Sequence, residues 1–97
     1  MRYEILLAPE AVEDLEALRA NARTEVKDAI QRHLRHEPTK LSKSRIKRLR
    51  GLARPQFRLR VGDVRVFYDV REARVEILAI VGKAHARLWL EREGEKP

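Results

Sequence analysis

The chain has 97 residues and a formal net charge of +7, with 22 lysines and arginines against 15 acidic residues. This length allows one domain with a modest core and excludes two, so we expect a single domain over residues 1–97. The absence of cysteine excludes a disulfide framework and a thiolate metal site, and no apolar run is long enough for a signal peptide or a membrane span. We therefore expect a cytoplasmic protein with no membrane partner.

The first third of the chain is predicted to form a strand and a helical hairpin. Tyr3 to Leu7 is a short apolar run, and Pro9 suits the first position of a helix. Asn21 is the predicted cap between two helices, and the second helix should stop before Pro38. Apolar residues recur at helical spacing, and those expected to face the core are Ala11, Val12, Leu15, Leu18, Ala22, Val26, Ala29, Ile30 and Leu34.

Positive charge is concentrated between residues 38 and 62, where there is no Asp or Glu. Residues 39–55 have weak periodicity, so we expect them to form a mostly irregular crossover. Such a block is typical of a surface that binds a polyanion, although a solvated face that keeps the protein soluble is the alternative. If the partner is RNA, the residues expected to hold it are Lys40, Lys43, Arg45, Lys47, Arg48, Arg50 and Arg54.

Residues 56–68 are typical of a β-hairpin. Two alternating runs flank Gly62-Asp63, a pair that suits a two-residue turn between antiparallel strands. This turn predicts three facing pairs on one apolar side, namely Val61 with Val64, Leu59 with Val66, and Phe57 with Tyr68. The other side would then carry three arginines and an aromatic ring, a combination suited to phosphate and base; these residues are Arg58, Arg60, Arg65 and Phe67.

A further strand is predicted from Val75 to Val81, joined to the hairpin by a turn at Glu72-Ala73. Because both of its faces become apolar, it should be central in the sheet. The turn would place Leu78 opposite Phe67 and Ile80 opposite Arg65, as a dry floor for the arginines. The tail after Gly82 is expected to form either a short helix or an extended arm.

No generic catalytic motif is present. His33 and His36 are three residues apart, but no third ligand is evident, so we expect no metal site and no cofactor. RNA cleavage through the 2′-hydroxyl remains feasible, because it needs cations at the phosphate and groups that transfer protons. His85 is a candidate for proton transfer, with Lys83 and Arg87 close in sequence, although His85 is as readily explained as a polar residue at a strand exit.

Three strings carry a resemblance to a known family: R-L-R-G-L, then Q-F-R-L-R-V-G-D-V-R-V-F-Y-D-V, then V-E-I-L-A-I-V-G-K. Together with the helices and the length, they resemble the RelE/ParE superfamily of bacterial type II toxins over nearly the whole chain. The resemblance implies an α+β fold, in which an N-terminal strand and a helical hairpin pack on a small, mainly antiparallel sheet. It also implies a cognate antitoxin as partner.

RelE-type members cleave messenger RNA in the ribosomal A site, so the resemblance implies the ribosome and mRNA as further partners. Their functional positions fall here on Gln56, Arg58 and Arg65, with Arg60 two residues after Arg58, and Lys83 follows the glycine as expected. Two positions depart from the family pattern, because Ala84 stands at a position that is often basic and Leu90 at that of a late tyrosine.

Three functions stay open at this point. The first is a ribosome-dependent endoribonuclease, in which Arg58, Arg60, Arg65, Lys83, His85 and Arg87 form the catalytic set. The second is a ParE-like inhibitor of DNA gyrase, which the missing tyrosine favours. The third is a basic nucleic-acid-binding module without toxicity.

Overall fold

A five-stranded sheet with the order β1-β5-β4-β3-β2 forms the centre of the molecule in a computed structural model that describes all 97 residues. Strand β1 runs parallel to β5, and the other neighbours are antiparallel. The strands are β1 (Glu4–Leu7), β2 (Ile46–Arg48), β3 (Phe57–Val61), β4 (Val64–Arg71) and β5 (Arg74–Gly82), and the helices are α1 (Pro9–Ala17), α2 (Ala20–Leu34) and α3 (Lys83–Glu93). This is the α+β architecture that the sequence predicted.

Helices α1 and α2 form the predicted hairpin and cover one face of the sheet, but two details differ from the prediction. Val12 is 39% exposed rather than packed in the core. Asn21 is not the cap, because α2 begins one residue earlier, at Ala20. The guanidinium of Arg23 donates to the carbonyl oxygens of Leu15, Glu16 and Leu18, so it satisfies the end of α1 and permits a connection only two residues long.

The β3–β4 hairpin has the predicted register, with Phe57 opposite Tyr68, Leu59 opposite Val66 and Val61 opposite Val64. Gly62 has a φ of +56°, a conformation that glycine adopts without steric cost. The apolar side of the hairpin joins the core under α1 and α2. Tyr68 is fully buried there, and its hydroxyl donates to the carbonyl oxygen of Pro38 at 2.7 Å.

The predicted β4–β5 register holds from the turn only as far as Tyr68 and Ile77. A β-bulge between Phe67 and Tyr68 then shifts the pairing, so that Phe67 lies opposite Ala79 rather than Leu78. Arg65 accordingly lies opposite Val81, and Ile80 belongs to the core on the other face. The predicted floor of Leu78 and Ile80 is therefore wrong, because one extra residue in a strand reverses the faces of all that follow.

The shifted end of β5 is stabilised by a side chain of α1. The carboxylate of Asp14 accepts a hydrogen bond from the backbone N–H of Ile80 at 3.0 Å. Strand β1 ends at Leu7, before it could pair with this part of β5. Asp14 thus replaces a neighbouring strand as acceptor, which avoids the cost of an unpaired buried N–H.

The crossover predicted to be mostly irregular contains one regular element, the three-residue strand β2. Ile46 is buried and pairs with Leu59, while Lys47 and Arg48 are exposed. A short, charged edge strand of this kind resists pairing with another chain. No helix of the protein is both long enough and apolar enough to cross a membrane.

Candidate nucleic-acid interface

Helix α3 lies across the second face of the sheet and leaves a groove of about 570 Å³ beside it. Arg58, Arg65 and Phe67 line the groove from the sheet, and one side of α3 forms its wall. The backbone N–H of Lys83 donates to the carbonyl oxygen of Asp63 at 2.7 Å, which fixes the start of α3 against the β3–β4 turn. We call this space the cationic groove, and its lining residues are Leu49, Leu52, Arg58, Arg65, Phe67, Lys83, Ala86, Arg87, Leu90, Glu91, Gly94 and Lys96.

Arg58 is the least satisfied side chain of the groove. Its Nε is buried and has no hydrogen-bond partner. Burial lowers the pKa of the guanidinium, and the positive charges of Arg65 and Arg60 lower it further. A buried donor without an acceptor costs free energy in the isolated protein. An anion in the groove would supply the acceptor and neutralise the crowded positive charge.

Arg65 is only 7% exposed and is held by the hairpin turn. Its Nη1 donates to the carbonyl oxygens of Gly62 at 2.8 Å and Val64 at 3.2 Å. Arg60 is opposite Arg65 in the strand pairing but is exposed and does not line the groove. The structure therefore brings Arg58, Arg65, Lys83 and Arg87 together and leaves Arg60 at the margin.

Phe67 does not offer its ring to a base, contrary to the expectation from the sequence. It is fully buried, and the ring of Trp89 stacks on it with centroids 5.1 Å apart and an interplanar angle of 5°. Offset stacking of this kind adds about 0.5–1.5 kcal/mol to the burial of apolar area. Trp89 is itself only partly buried, yet its stack on Phe67 anchors α3, a helix that has no fully buried residue.

The end of α3 is tied down by the backbone that follows it. The N–H of Glu95 donates to the carbonyl oxygen of Arg54, and the N–H of Ala53 donates to that of Glu95, both at 2.7 Å. Gly94 permits this path, because a Cβ there would lie 2.5 Å from the carbonyl oxygen of Leu90 and 3.0 Å from the Leu52 side chain. The tail therefore closes one end of the groove.

We expect Gly94→Ala to displace the end of α3, because the contact with a backbone oxygen cannot be relieved by rotation of a side chain. Trp89 is the only tryptophan, so the displacement should appear as a red shift of its fluorescence and as faster hydrogen exchange in α3. Gly82→Ala is the matched control, since its Cβ would lie 3.8 Å from the His85 ring, an ordinary contact. Equal spectra for the two variants would contradict this role of Gly94.

His85 lies on the opposite flank of α3 from the arginines. It lines a second cavity, of about 620 Å³, together with Leu78, Val81 and Trp89. The tail is a helix rather than an extended arm, and successive residues of a helix are rotated by about 100°. His85 is therefore turned away from the side that carries Lys83 and Arg87. The structure does not bring His85 into the predicted catalytic set.

Of the residues predicted to hold RNA, some contact other side chains of the protein and the rest are simply exposed. Arg54 is engaged in ion pairs, with Asp69 at 3.0 Å and Glu76 at 2.8 Å. Lys40 is 3.6 Å from Glu37, and the guanidinium of Arg48 lies over the Phe57 ring. The others are exposed on or beside strand β2, where Lys47 is opposite Arg58 in the strand pairing; they are Lys43, Arg45, Lys47 and Arg50.

Glu91 is a groove residue that sequence reasoning missed. It lies four residues after Arg87 and eight after Lys83, so all three face the same side of α3. Its carboxylate is 3.6 Å from the Nε of Arg87. The signal that would have found it is the helical spacing from Lys83, once the tail is taken as a helix.

The histidines predicted not to bind a metal lie near the end of α2. Burial lowers the pKa of His33, and the positive charges of Arg45 and Arg32 lower it further. The structure contains no group of three or more histidine, cysteine or acidic side chains placed to hold a metal ion.

Comparison with known proteins identifies the family. Residues 5–87 match the family model of the ParE toxin of the type II toxin-antitoxin system parDE. A comparison with curated proteins gave no match.

Solved structures share the fold. The RelE-RelB complex of Pyrococcus horikoshii matches at 24% identity with a TM-score of 0.69, over 86% of this chain and 97% of that one. RelBE2 of Mycobacterium tuberculosis matches at 24% identity and a TM-score of 0.70, over 84% and 99%. The DinJ-YafQ complex of E. coli matches at 16% identity and a TM-score of 0.66, over 92% and 99%. The chain has the fold of the RelE-like toxins and belongs to the ParE toxin family of type II toxin-antitoxin systems, within the RelE/ParE superfamily.

Proposed function

We propose that this toxin is a ribosome-dependent endoribonuclease that cleaves messenger RNA in the A site and so arrests translation in the cytoplasm. The observation that carries the proposal is the cationic groove, in which the buried Nε of Arg58 lacks a partner and no carboxylate pairs with this guanidinium. Arginine is suited to phosphate because its planar donors bind two oxygens at once.

In this proposal the scissile phosphate binds against Arg58 and Arg65, with the ammonium of Lys83 beside it. Cleavage through the 2′-hydroxyl passes through a crowded phosphorane with more negative charge than the substrate. Preorganised cations stabilise this charge better in a groove than in water. The exposed basic residues on and beside β2, from Lys43 to Arg50, would contact ribosomal RNA, a contact dominated by phosphate neutralisation and therefore sensitive to salt.

Inhibition of DNA gyrase is the second candidate, and one observation favours it. The cationic groove is lined by no histidine or tyrosine, and His85 faces the other flank of α3. A toxin that only binds its target needs no group for proton transfer. Family membership itself favours either toxin over the basic module without toxicity.

We also propose a cognate antitoxin as partner. Several of the matching structures are toxin–antitoxin complexes, among them those of Pyrococcus horikoshii, Methanococcus jannaschii and E. coli. With a net charge of +7, this chain favours a partner that is acidic where it contacts the groove.

One experiment separates the two targets. The chain is expressed alone from a tightly controlled promoter, message 5′ ends are mapped, and gyrase supercoiling is measured in the same extract. We expect new 5′ ends within translated codons, dependent on ribosomes, and normal supercoiling. Intact messages together with inhibited supercoiling would overturn the proposal in favour of gyrase.

A further inference from the structure

Helix α3 presents one carboxylate to the cationic groove. Residues 83, 86, 87, 90 and 91 line the groove at spacings of three and four, which places them on one side of the helix. Glu91 is the only acidic side chain among the groove residues. The wall opposite Arg58 and Arg65 therefore combines a lysine, an arginine and a single carboxylate.

The carboxylate of Glu91 is not firmly held in its present position. Its ion pair with Arg87 spans 3.6 Å, and the two side chains are 61% and 94% exposed. Exposed pairs of this kind at i and i+4 contribute little to stability, because solvent screens the two charges. Glu91 is thus free to leave its ion pair with Arg87 and accept a hydrogen bond from a ligand, while Arg87 remains near any anion in the groove.

We propose that Glu91 is the general base of the RNA cleavage described above, an inference that rests on the proposed function. A phosphate bound by the sheet arginines places the adjacent ribose at the α3 wall, where Glu91 is the only groove side chain that accepts a proton as an anion. Lys83 lines the same groove, and its ammonium is the proton donor in this step. A base and an acid are therefore present on the same side of one helix.

The step balances with these two groups alone. The carboxylate of Glu91 takes the proton of the 2′-hydroxyl, and the 2′ oxygen forms a bond to phosphorus. The bond from phosphorus to the 5′ oxygen breaks, and that oxygen leaves with a proton from the ammonium of Lys83. The products are a 2′,3′-cyclic phosphate and a 5′-hydroxyl end, with Arg58 and Arg65 stabilising the phosphorane between them.

The test compares Glu91→Gln with Glu93→Gln in single-turnover cleavage on ribosomes programmed with a defined message. Glu93 is exposed on the same helix but lines the second cavity, so its replacement should leave the rate unchanged. We expect Glu91→Gln to lower the rate by about 10²- to 10⁴-fold and to remove the acidic limb of the pH–rate profile. Binding of the toxin to the ribosome should not change. A merely structural role of Glu91 would instead predict weaker binding as well.

The outcomes separate this inference from the proposed function. If the wild type and Glu91→Gln cleave equally fast while Arg58→Ala is inactive, Glu91 is not the base and the endoribonuclease stands. Glu91 is likewise not the base if Glu91→Gln is slow but keeps the acidic limb. If the wild type cuts no message on the ribosome, the proposed function falls and this inference falls with it.

Discussion

Arg58→Ala should abolish toxicity, with a fall in the cleavage rate of about 10²- to 10³-fold, the usual cost of removing one donor to a developing oxyanion. The reason is that Arg58 combines a buried, unpartnered Nε with a position on the floor of the cationic groove. Replacement of Arg65 would be harder to interpret, because its guanidinium also donates hydrogen bonds to the carbonyl oxygens of the hairpin turn. The measurement is single-turnover cleavage on the ribosome together with growth after induction.

Arg58→Ala should not lower the free energy of unfolding, although most substitutions of a partly buried residue do. The lowered pKa of Arg58, caused first by burial and then by Arg65 and Arg60, means that its charged form is disfavoured in the folded protein. We therefore expect an unchanged or higher free energy of unfolding in urea. Arg71→Ala is the matched control, an exposed arginine of β4 outside the groove. Full toxicity of a folded Arg58→Ala would refute the phosphate-binding role.

Trp89→Ala should detach α3 from the sheet and remove both stability and activity. The substitution exposes the ring of Phe67 and deletes the stack that holds α3, a helix with no fully buried residue. The usual cost of truncating a packed tryptophan is about 3–5 kcal/mol, and partial exposure of Trp89 places the expected loss toward the lower end. Circular dichroism in urea measures this loss in the free energy of unfolding, because the variant has no tryptophan whose fluorescence could report unfolding.

Trp89→Phe retains a stacking ring and should recover most of the stability and the cleavage rate. Leu88→Ala serves as a second control, because Leu88 is 52% exposed on the same helix. If Trp89→Ala unfolds at the same urea concentration as the wild type, the stack does not anchor α3. If it is destabilised but still cleaves RNA normally, the α3 wall is not part of the functional groove.

The register of the β3–β4 hairpin was predictable because its causes are local. Gly62 adopts the positive φ that the turn requires, and alternation of apolar residues on both sides permits only one alignment. The β4–β5 register was not predictable beyond Tyr68, because the bulge depends on distant groups. Asp14 in α1 satisfies the N–H of Ile80, and nothing near Ile80 in the sequence indicates that partner.

The residues of the candidate site were also predictable only in part. Charge density and strand alternation identified Arg58 and Arg65, since side chains on alternate positions of a hairpin share a face. Phe67 and His85 were assigned differently from their place in the structure, and Glu91 was not identified, because the roles of these residues depend on how α3 is rotated against the sheet. That rotation follows from the stack of Trp89 on Phe67 and from the close approach of Gly94 to the Leu52 side chain.

By itself, then, the sequence determined the class of fold, the hairpin and the concentration of positive charge, because these follow from local periodicity, turn chemistry and composition. Only the tertiary structure decided that Phe67 is buried, that His85 faces away from the cationic groove, and that Glu91 lies in this groove with Arg58. The physical reason is that contacts with residues distant in sequence position α3, namely the stack of Trp89 on Phe67 and the backbone hydrogen bonds at the two ends of the helix, and one rotation of a helix exchanges every side chain it presents to its neighbour.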